Sequence, residues 1–116
     1  MRDEPLTVTA APGSGEGITI LELHGPLTLQ NSFDFQRELT EHKPAVLIID
    51  LTESPYMDSS GLGLLMNCYV SAEKNGRKLL LAGANERIHA LLQLTKVHNI
   101  LKNYATAADA ESSIGA

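Results

Sequence analysis

Residues 45–65 read AVLIIDLTESPYMDSSGLGLL, and this stretch decides the fold of the chain. Its first part, Ala45–Leu51, is almost entirely apolar and rich in branched side chains, which is typical of a central strand covered on both faces. A helix is predicted from about Gly61 to Lys74. The polar segment between them is therefore a strand-to-helix connection, where α/β sheets place their working residues.

The residues after this helix repeat the pattern of strand and helix. Lys78–Gly83 is predicted as a second buried strand, and the helical crossover before it makes it parallel to the first. A third helix is expected at about Asn85–Leu94. Three apolar residues fall on one face of that helix: Ile88, Leu91 and Leu92. Tyr104–Ala105 is predicted as a short last strand, and Thr106–Asp109 resembles a capping box that opens a fourth helix.

The residues before the central strand predict a hairpin and a helix. Leu6–Ala10 alternates apolar and hydroxyl side chains, as an edge strand does, and the turn-rich Pro12–Gly17 folds Ile18–Leu23 back against it. Leu27–His42 is predicted as a helix that Lys43-Pro44 terminates. The apolar stripe of this helix consists of Leu29, Phe33, Phe35 and Leu39.

These elements together predict an α/β fold, a small mixed sheet of four or five strands with helices packed against it. The chain of 116 residues fits one domain, residues 1–116 with a core of about 5–114. It is long enough to bury most of its apolar surface without metals or crosslinks. Apolar residues make up 43% and charged residues 20%, close to the averages for soluble globular proteins, so the domain is expected to fold alone.

Charge and hydropathy argue against two classes of function. The net charge is −5 and the lysines and arginines are scattered, so we do not expect binding to nucleic acid through phosphate neutralisation. The longest apolar run in the first half, Ala45–Ile49, is far shorter than the roughly 20 residues of a membrane span. Acidic residues in Met1–Pro5 do not fit a signal peptide, so a cytoplasmic location without membrane insertion is expected.

The cysteine, histidine and glycine residues do not predict a metal or cofactor site. Cys68 is the single cysteine, and we interpret it as a small buried hydrophobic residue of the second helix. The four histidines are not clustered at metal-ligand spacings, and no cysteine or carboxylate accompanies them as a set: His24, His42, His89 and His98. Gly61-Leu62-Gly63 lacks the lysine of a phosphate-binding loop, and helix packing explains it better.

The strand-to-helix connection ends with Asp58-Ser59-Ser60-Gly61. Ser59 or Ser60 is expected to cap the first amide groups of the helix, and one interpretation is that these serines and Asp58 are N-cap residues only, a role that serine and aspartate fill in many helices. The same exposed amides, at the positive end of the helix dipole, also suit a phosphate. A phosphate there adds about −1.5 to −2 charges beside Asp58 and changes the surface offered to a partner while the fold stays intact. The segment therefore predicts a cap that also serves as a binding switch.

Two alternatives for this segment remain open. A hydrolase would use Ser59 as its nucleophile, but the chain shows no Gly-x-Ser-x-Gly motif and no histidine with a clear partner role. We therefore do not expect an enzyme. Tyr56 and Met57 lie beside the serines, and their side chains suit an interface and the core equally well.

The run from Tyr56 to Leu65 resembles the signature of bacterial STAS-domain anti-sigma-factor antagonists, and the predicted order of elements is similar to that family's domain over nearly the whole chain. The resemblance implies that Ser59 is the phosphate acceptor. It also implies a cycle in which the unphosphorylated protein binds a serine-kinase anti-sigma factor and frees the sigma factor. The kinase phosphorylates Ser59 with ATP and breaks the complex, and a PP2C-type phosphatase restores it. The residues expected to contact the partner are Tyr56, Met57, Asp58, Ser59, Ser60, Gly61 and Leu62.

Two residues depart from the pattern of that family. Thr28 stands where relatives commonly carry an aspartate near the acceptor serine. This favours an alternative, a STAS subunit without a phosphorylation cycle, acting as a scaffold in a stress-signalling assembly or as the cytosolic component of a lipid or anion transporter. Lys96 stands where relatives usually place a glycine, and it is expected to affect only the end of the third helix.

Overall fold

The computed structural model of the chain describes residues 5–114. Its strands are β1 (Thr7–Pro12), β2 (Ile18–His24), β3 (Val46–Asp50), β4 (Lys78–Ala82) and β5 (Asn103–Tyr104). Its α-helices are α1 (Ser32–Glu41), α2 (Ser59–Lys74), α3 (Glu86–Leu94) and α4 (Ala107–Ile114). The acidic residues of the N-terminal segment fall in residues 1–4, which lie outside the described residues together with 115–116.

The five strands form one mixed sheet in the order β1-β2-β3-β4-β5. β1 lies at the edge and pairs antiparallel with β2, which confirms the predicted hairpin, although β1 runs on to Pro12. The pairs β2–β3, β3–β4 and β4–β5 are all parallel. Helices α1 and α2 connect β2 to β3 and β3 to β4, so the predicted α/β class is confirmed.

Successive side chains of β3 point to opposite faces of the sheet, as in any strand. Leu47 and Ile49 join a core covered by α1, α2 and α3, whereas Val46 and Ile48 join a smaller core covered by α4. All four side chains are at most 8% exposed. Burial of one such side chain stabilises the fold by about 1.5–3 kcal/mol, so β3 is the central strand that the apolar run predicts.

Helix α1 differs from its prediction in its start and its apolar face. It begins at Ser32 and not near Leu27, and its predicted stripe is wrong in part because Leu29 is 61% and Phe33 is 76% exposed. Phe33 and Phe35 are two residues apart, which places them about 200° apart around a helix. Since Phe35 is fully buried, Phe33 must point to solvent.

The remaining helices lie close to their predicted positions. Ile88 and Leu92 of α3 are buried and Leu91 is half-buried. Thr106 Oγ1 accepts a hydrogen bond from the Asp109 amide at 3.1 Å, which is one half of the predicted capping box of α4. Cys68 is half-buried, and the loss of solvent around its thiol raises its pKa.

Lys96 follows the end of α3 with φ of 64°, a left-handed conformation that favours glycine. A non-glycine residue is destabilised by about 1–2 kcal/mol in this conformation. Glycine avoids this cost, but its greater freedom in the unfolded chain offsets part of the gain in stability. We expect Lys96→Gly to raise the free energy of unfolding by roughly 0.5–1 kcal/mol in urea titrations.

Lys102→Gly is the matched control for this change. Lys102 is exposed, and its φ is not positive, so glycine relieves no strain there. Lys102→Gly should therefore leave the free energy of unfolding unchanged or lower it slightly. Equal effects of the two substitutions would show that the left-handed conformation carries no strain.

Candidate functional site

The connection from β3 to α2 is held in place by two other segments of the chain, the one between β2 and α1 and the one at the start of α3. Ser54 Oγ donates a hydrogen bond to the Gly25 carbonyl at 2.8 Å, and Asn85 Nδ2 donates to the Pro55 carbonyl at 2.9 Å. Ser54 is only 2% exposed, so its hydroxyl would lose free energy without this partner. The segment between β2 and α1 and the start of α3 therefore hold the connection from both sides.

Leu27 provides the third support. Its amide donates to the Tyr56 carbonyl at 3.1 Å, and its carbonyl accepts from the Asp58 amide at 3.2 Å, so that Leu27 and Met57 form a short parallel bridge. Leu27 is fully buried and Met57 is 7% exposed. Leu27 therefore holds the residues that lead into α2 in an extended conformation.

Asp58 caps α2. Its Oδ1 accepts from the Gly61 amide at 2.9 Å, and its Oδ2 accepts from the Leu29 amide at 3.1 Å. The prediction that Ser59 or Ser60 caps the helix is wrong, because the helix begins at Ser59 and the two serines occupy its first turn. A cap of this kind stabilises by typically about 1 kcal/mol, and the second oxygen here also joins the cap to the segment before α1.

Ser59 and Ser60 are both exposed, and within residues 5–114 neither hydroxyl is assigned a hydrogen bond. The first turn of α2 contains no acidic residue. Its amides therefore present the positive end of the helix dipole to solvent beside two free hydroxyls. Chemically, this arrangement suits a covalently attached phosphate.

The two glycines of α2 have opposite surroundings. A Cβ atom on Gly61 would lie 2.4 Å from the Leu27 carbonyl oxygen and 2.8 Å from Leu27 Cγ, so only glycine permits this close approach. A Cβ atom on Gly63 would meet nothing within 4 Å. Helix packing thus explains Gly61, as the sequence suggested, but it does not explain Gly63.

The structure separates the residues expected to contact a partner into two groups. Met57, Gly61 and Leu62 are buried and support the site from below, so the open choice for Met57 resolves to the core. The remaining residues reach solvent at least in part: Tyr56, Asp58, Ser59 and Ser60. The Tyr56 ring carries the Arg87 guanidinium 4.7 Å from its centroid, a cation–π contact worth about 0.5–1 kcal/mol at an exposed position.

Sequence reasoning missed Leu29 and Phe33 as surface residues, and Leu29 contacts this site. Leu29 is linked to Asp58 through its amide, and Thr28 precedes it in the same segment, so Thr28 does lie near the start of α2. The two-residue spacing between Phe33 and Phe35 was the signal that one of them had to face solvent.

The histidines do not converge on this site. Among the histidines of residues 5–114, His42 alone lies beside a pair of carboxylates, because one of its ring nitrogens is within 4.8 Å of carboxylate oxygens of Glu38 and Glu41 at the end of α1. The His42 and Glu38 side chains are 3.4 Å apart, which suits an ion pair when His42 is protonated.

No α-helix within residues 5–114 is long and apolar enough to cross a membrane.

A comparison with known families identifies the class of protein that this fold and site define. The sequence profile of the STAS domain matches residues 14–110, and the chain belongs to the STAS domain family. The resemblance seen in residues 56–65 is thereby confirmed.

Three relatives give the family context. The anti-sigma-B factor antagonist of Listeria monocytogenes is 39% identical over 57 residues, a region that covers 49% of this chain and about half (50%) of that antagonist. The anti-sigma factor antagonist SpoIIAA, in its unphosphorylated form, has the same fold with a TM-score of 0.76 at 15% identity, covering 93% of this chain and 96% of SpoIIAA. The STAS domain of a SulP transporter from Vibrio cholerae has a TM-score of 0.70 at 25% identity, covering 88% of this chain and 84% of that domain.

Proposed function

We propose that this STAS domain is an anti-sigma-factor antagonist, which binds a serine-kinase anti-sigma factor when Ser59 is unmodified and releases it when Ser59 is phosphorylated. The observation that carries the proposal is the position of Ser59. It is the first residue of a capped helix, it is exposed, and its hydroxyl forms no hydrogen bond within residues 5–114. The similarity to the Listeria antagonist supports it. The natural setting of such a switch is the bacterial cytoplasm.

The charge of a phosphate on Ser59 would act on the partner and not on the fold. Both oxygens of Asp58 already accept hydrogen bonds, so its negative charge is held beside Ser59. Adding about −1.5 to −2 charges next to it creates a dense acidic surface that repels a partner adapted to a neutral hydroxyl. SpoIIAA retains this fold in its phosphorylated form too, with a TM-score of 0.72 to this chain.

In the proposed cycle the chain is a substrate and a ligand. The kinase transfers the γ-phosphoryl group of ATP to Ser59 Oγ, so the P–O bond to ADP breaks, ADP leaves and the serine proton is released. A PP2C-type phosphatase hydrolyses the new ester to inorganic phosphate. Within residues 5–114 no histidine is hydrogen-bonded to Ser59, and a serine without a base is a poor nucleophile, so both reactions rely on the partner enzymes.

Phosphate mapping tests this proposal. After incubation with the cognate kinase and ATP, we expect mass spectrometry to find one phosphate on Ser59 and none on the Ser59→Ala variant. Ser60→Ala is the matched control, because it removes the neighbouring exposed hydroxyl and should leave phosphorylation of Ser59 in place. Phosphate on Ser60 alone, or on neither serine, would sink the proposed switch.

A second candidate is a STAS subunit without a phosphorylation cycle, acting as a scaffold or as the cytosolic part of a transporter. Two observations favour it, namely Thr28 in the segment beside Asp58 and the similarity to the Vibrio SulP domain. The two functions differ in their response to the kinase. If the chain binds a membrane transporter and remains unmodified by any serine-kinase anti-sigma factor, the second function is the correct one.

A further inference from the structure

Helices α1 and α2 lie side by side and leave an open groove between them, here called the α1–α2 groove. Leu39, Leu64 and Cys68 supply its apolar floor, and polar side chains form its sides. Lys43 and Arg77 line its far end, just beyond the ends of the two helices. None of the described residues that line it is acidic.

The two cations of the groove are available to a partner. Within residues 5–114, neither Lys43 nor Arg77 forms an ion pair, although the chain as a whole carries a net charge of −5. The charge of Arg77 lowers the pKa of the Cys68 thiol, against the larger effect of burial, so its field is felt at the floor of the groove. An acidic group would therefore be attracted to this end of the groove.

Ser59 begins α2, one of the two helices that form the groove. Both helices connect parallel strands, so they run in the same direction. Leu29 contacts Asp58 just before α2, and seven residues further along the chain Gln36 lines the groove together with Leu64. Phe33 lies between Leu29 and Gln36 in the chain and is 76% exposed, so a large aromatic side chain reaches solvent within one helical turn of Gln36.

The size of the groove favours a protein segment over a small molecule. Its volume is about 210 Å³, whereas cavities for drug-sized ligands measure roughly 300–1,000 Å³. A stable protein interface buries about 800 Å² on each partner, far more than the few exposed side chains around Ser59 can provide. A partner that docks at Ser59 must therefore contact further surface, and the groove begins within one helical turn of Phe33.

We infer that the α1–α2 groove is the docking site for an acidic amphipathic segment of the kinase anti-sigma factor, seated with an apolar side chain over Leu64 and carboxylates beside Lys43 and Arg77. This inference rests on the proposed function, because the occupant is the partner named there. Phe33 anchors the segment at the end nearer Ser59, since large exposed aromatic residues contribute strongly to interfaces.

Charge reversal in the groove tests the inference with the full chain and the purified kinase. We expect Lys43→Glu and Arg77→Glu each to weaken binding by about 5- to 20-fold at low salt, and by less at high salt, because charge pairs at an interface rim are screened. Lys78→Glu is the matched control, since it makes the same change of charge at an exposed residue outside the groove lining. Arg77→Gln keeps a long polar side chain and should give a smaller loss of the same sign if Arg77→Glu folds poorly.

Truncation of the aromatic anchor is the second arm of the experiment. Phe33→Ser should weaken binding by about tenfold, whereas Ile100→Ser, which removes another exposed apolar side chain away from α1 and α2, should change it less than twofold. Ser59→Asp is measured in parallel. If Ser59→Asp loses binding while the groove variants bind as well as their controls, the inference about the groove is wrong and the proposed function stands. If the wild-type chain binds no kinase, the proposed function is wrong and the inference about the groove with it. Self-association of the wild type that Arg77→Glu abolishes would assign the groove to a second copy and overturn the inference.

Discussion

Ser59→Asp should weaken binding to the kinase anti-sigma factor by about 100-fold or more, whereas Ser59→Ala should bind within about threefold of the wild type. The aspartate places a second carboxylate at the start of α2, beside Asp58, whose oxygens are held by Gly61 and Leu29. Like charges forced together in an interface cost several kcal/mol, and each 1.4 kcal/mol corresponds to a tenfold change in affinity. Titration calorimetry or surface plasmon resonance measures both variants directly.

Ser60→Asp is the control for this prediction, because it adds the same charge to the neighbouring exposed position of the same helical turn. We expect it to weaken binding at least tenfold less than Ser59→Asp. Circular dichroism should show both aspartate variants folded, since an acidic residue in the first turn of a helix is favourable. Equal affinities of Ser59→Ala and Ser59→Asp would contradict the charge mechanism, and equal losses for the two aspartates would show that no single serine is the switch.

The central part of the fold was predictable because several signals in the sequence agree there. The apolar run ending at Asp50 has the length and the branched side chains of a buried parallel strand, and the glycine after Lys74-Asn75 stops the next helix. Such agreement between local preference and tertiary environment makes an element easy to recognise. The hairpin of β1 and β2 and the parallel pair of β3 and β4 were predictable in the same way, whereas the full order of five strands comes from the structure.

The start of α2 could be located but not resolved from the sequence. Asp58, Ser59 and Ser60 are three consecutive residues that all suit an N-cap position. A contact between distant segments distinguishes Asp58 from the serines, because the two oxygens of its carboxylate accept from the Leu29 and Gly61 amides at once. The cap is therefore assigned by tertiary structure, and it leaves Ser59 free.

The surface of α1 was mispredicted for a related reason. Apolar residues at helical spacing were all predicted to face the core. The helix begins only at Ser32, so Leu29 is not part of it. Phe35 is buried and Phe33 is exposed. The α1–α2 groove is also invisible in sequence, since it depends on the distance between two helices. The cations at its end are 34 residues apart, at positions 43 and 77.

Gly61→Ala should lower the free energy of unfolding by roughly 2–3 kcal/mol, a large fraction of the stability of a small domain. The added Cβ would lie 2.4 Å from the Leu27 carbonyl oxygen, which is backbone and cannot rotate away. Alanine gains about 1 kcal/mol over glycine from helix propensity, but this offsets only part of the collision. Because α2 must move away from Leu27, the hydrogen bonds that hold Asp58 should weaken as well, and affinity for the kinase should fall.

Gly63→Ala, two residues along the same helix, is the matched control for that substitution. Neither glycine is among those with positive φ, so alanine is compatible with the backbone at both, and at Gly63 its Cβ meets nothing within 4 Å. We expect Gly63→Ala to raise the free energy of unfolding by about 0.5–1 kcal/mol, so that urea titrations of the two variants shift in opposite directions. A shift in the same direction would show that the collision with Leu27 does not govern Gly61. An exposed glycine inside a helix lowers the stability of the isolated domain. A Gly63→Ala variant that is more stable yet binds the kinase less tightly would therefore indicate that the partner approaches α2 closely at Gly63, one helical turn beyond Ser59.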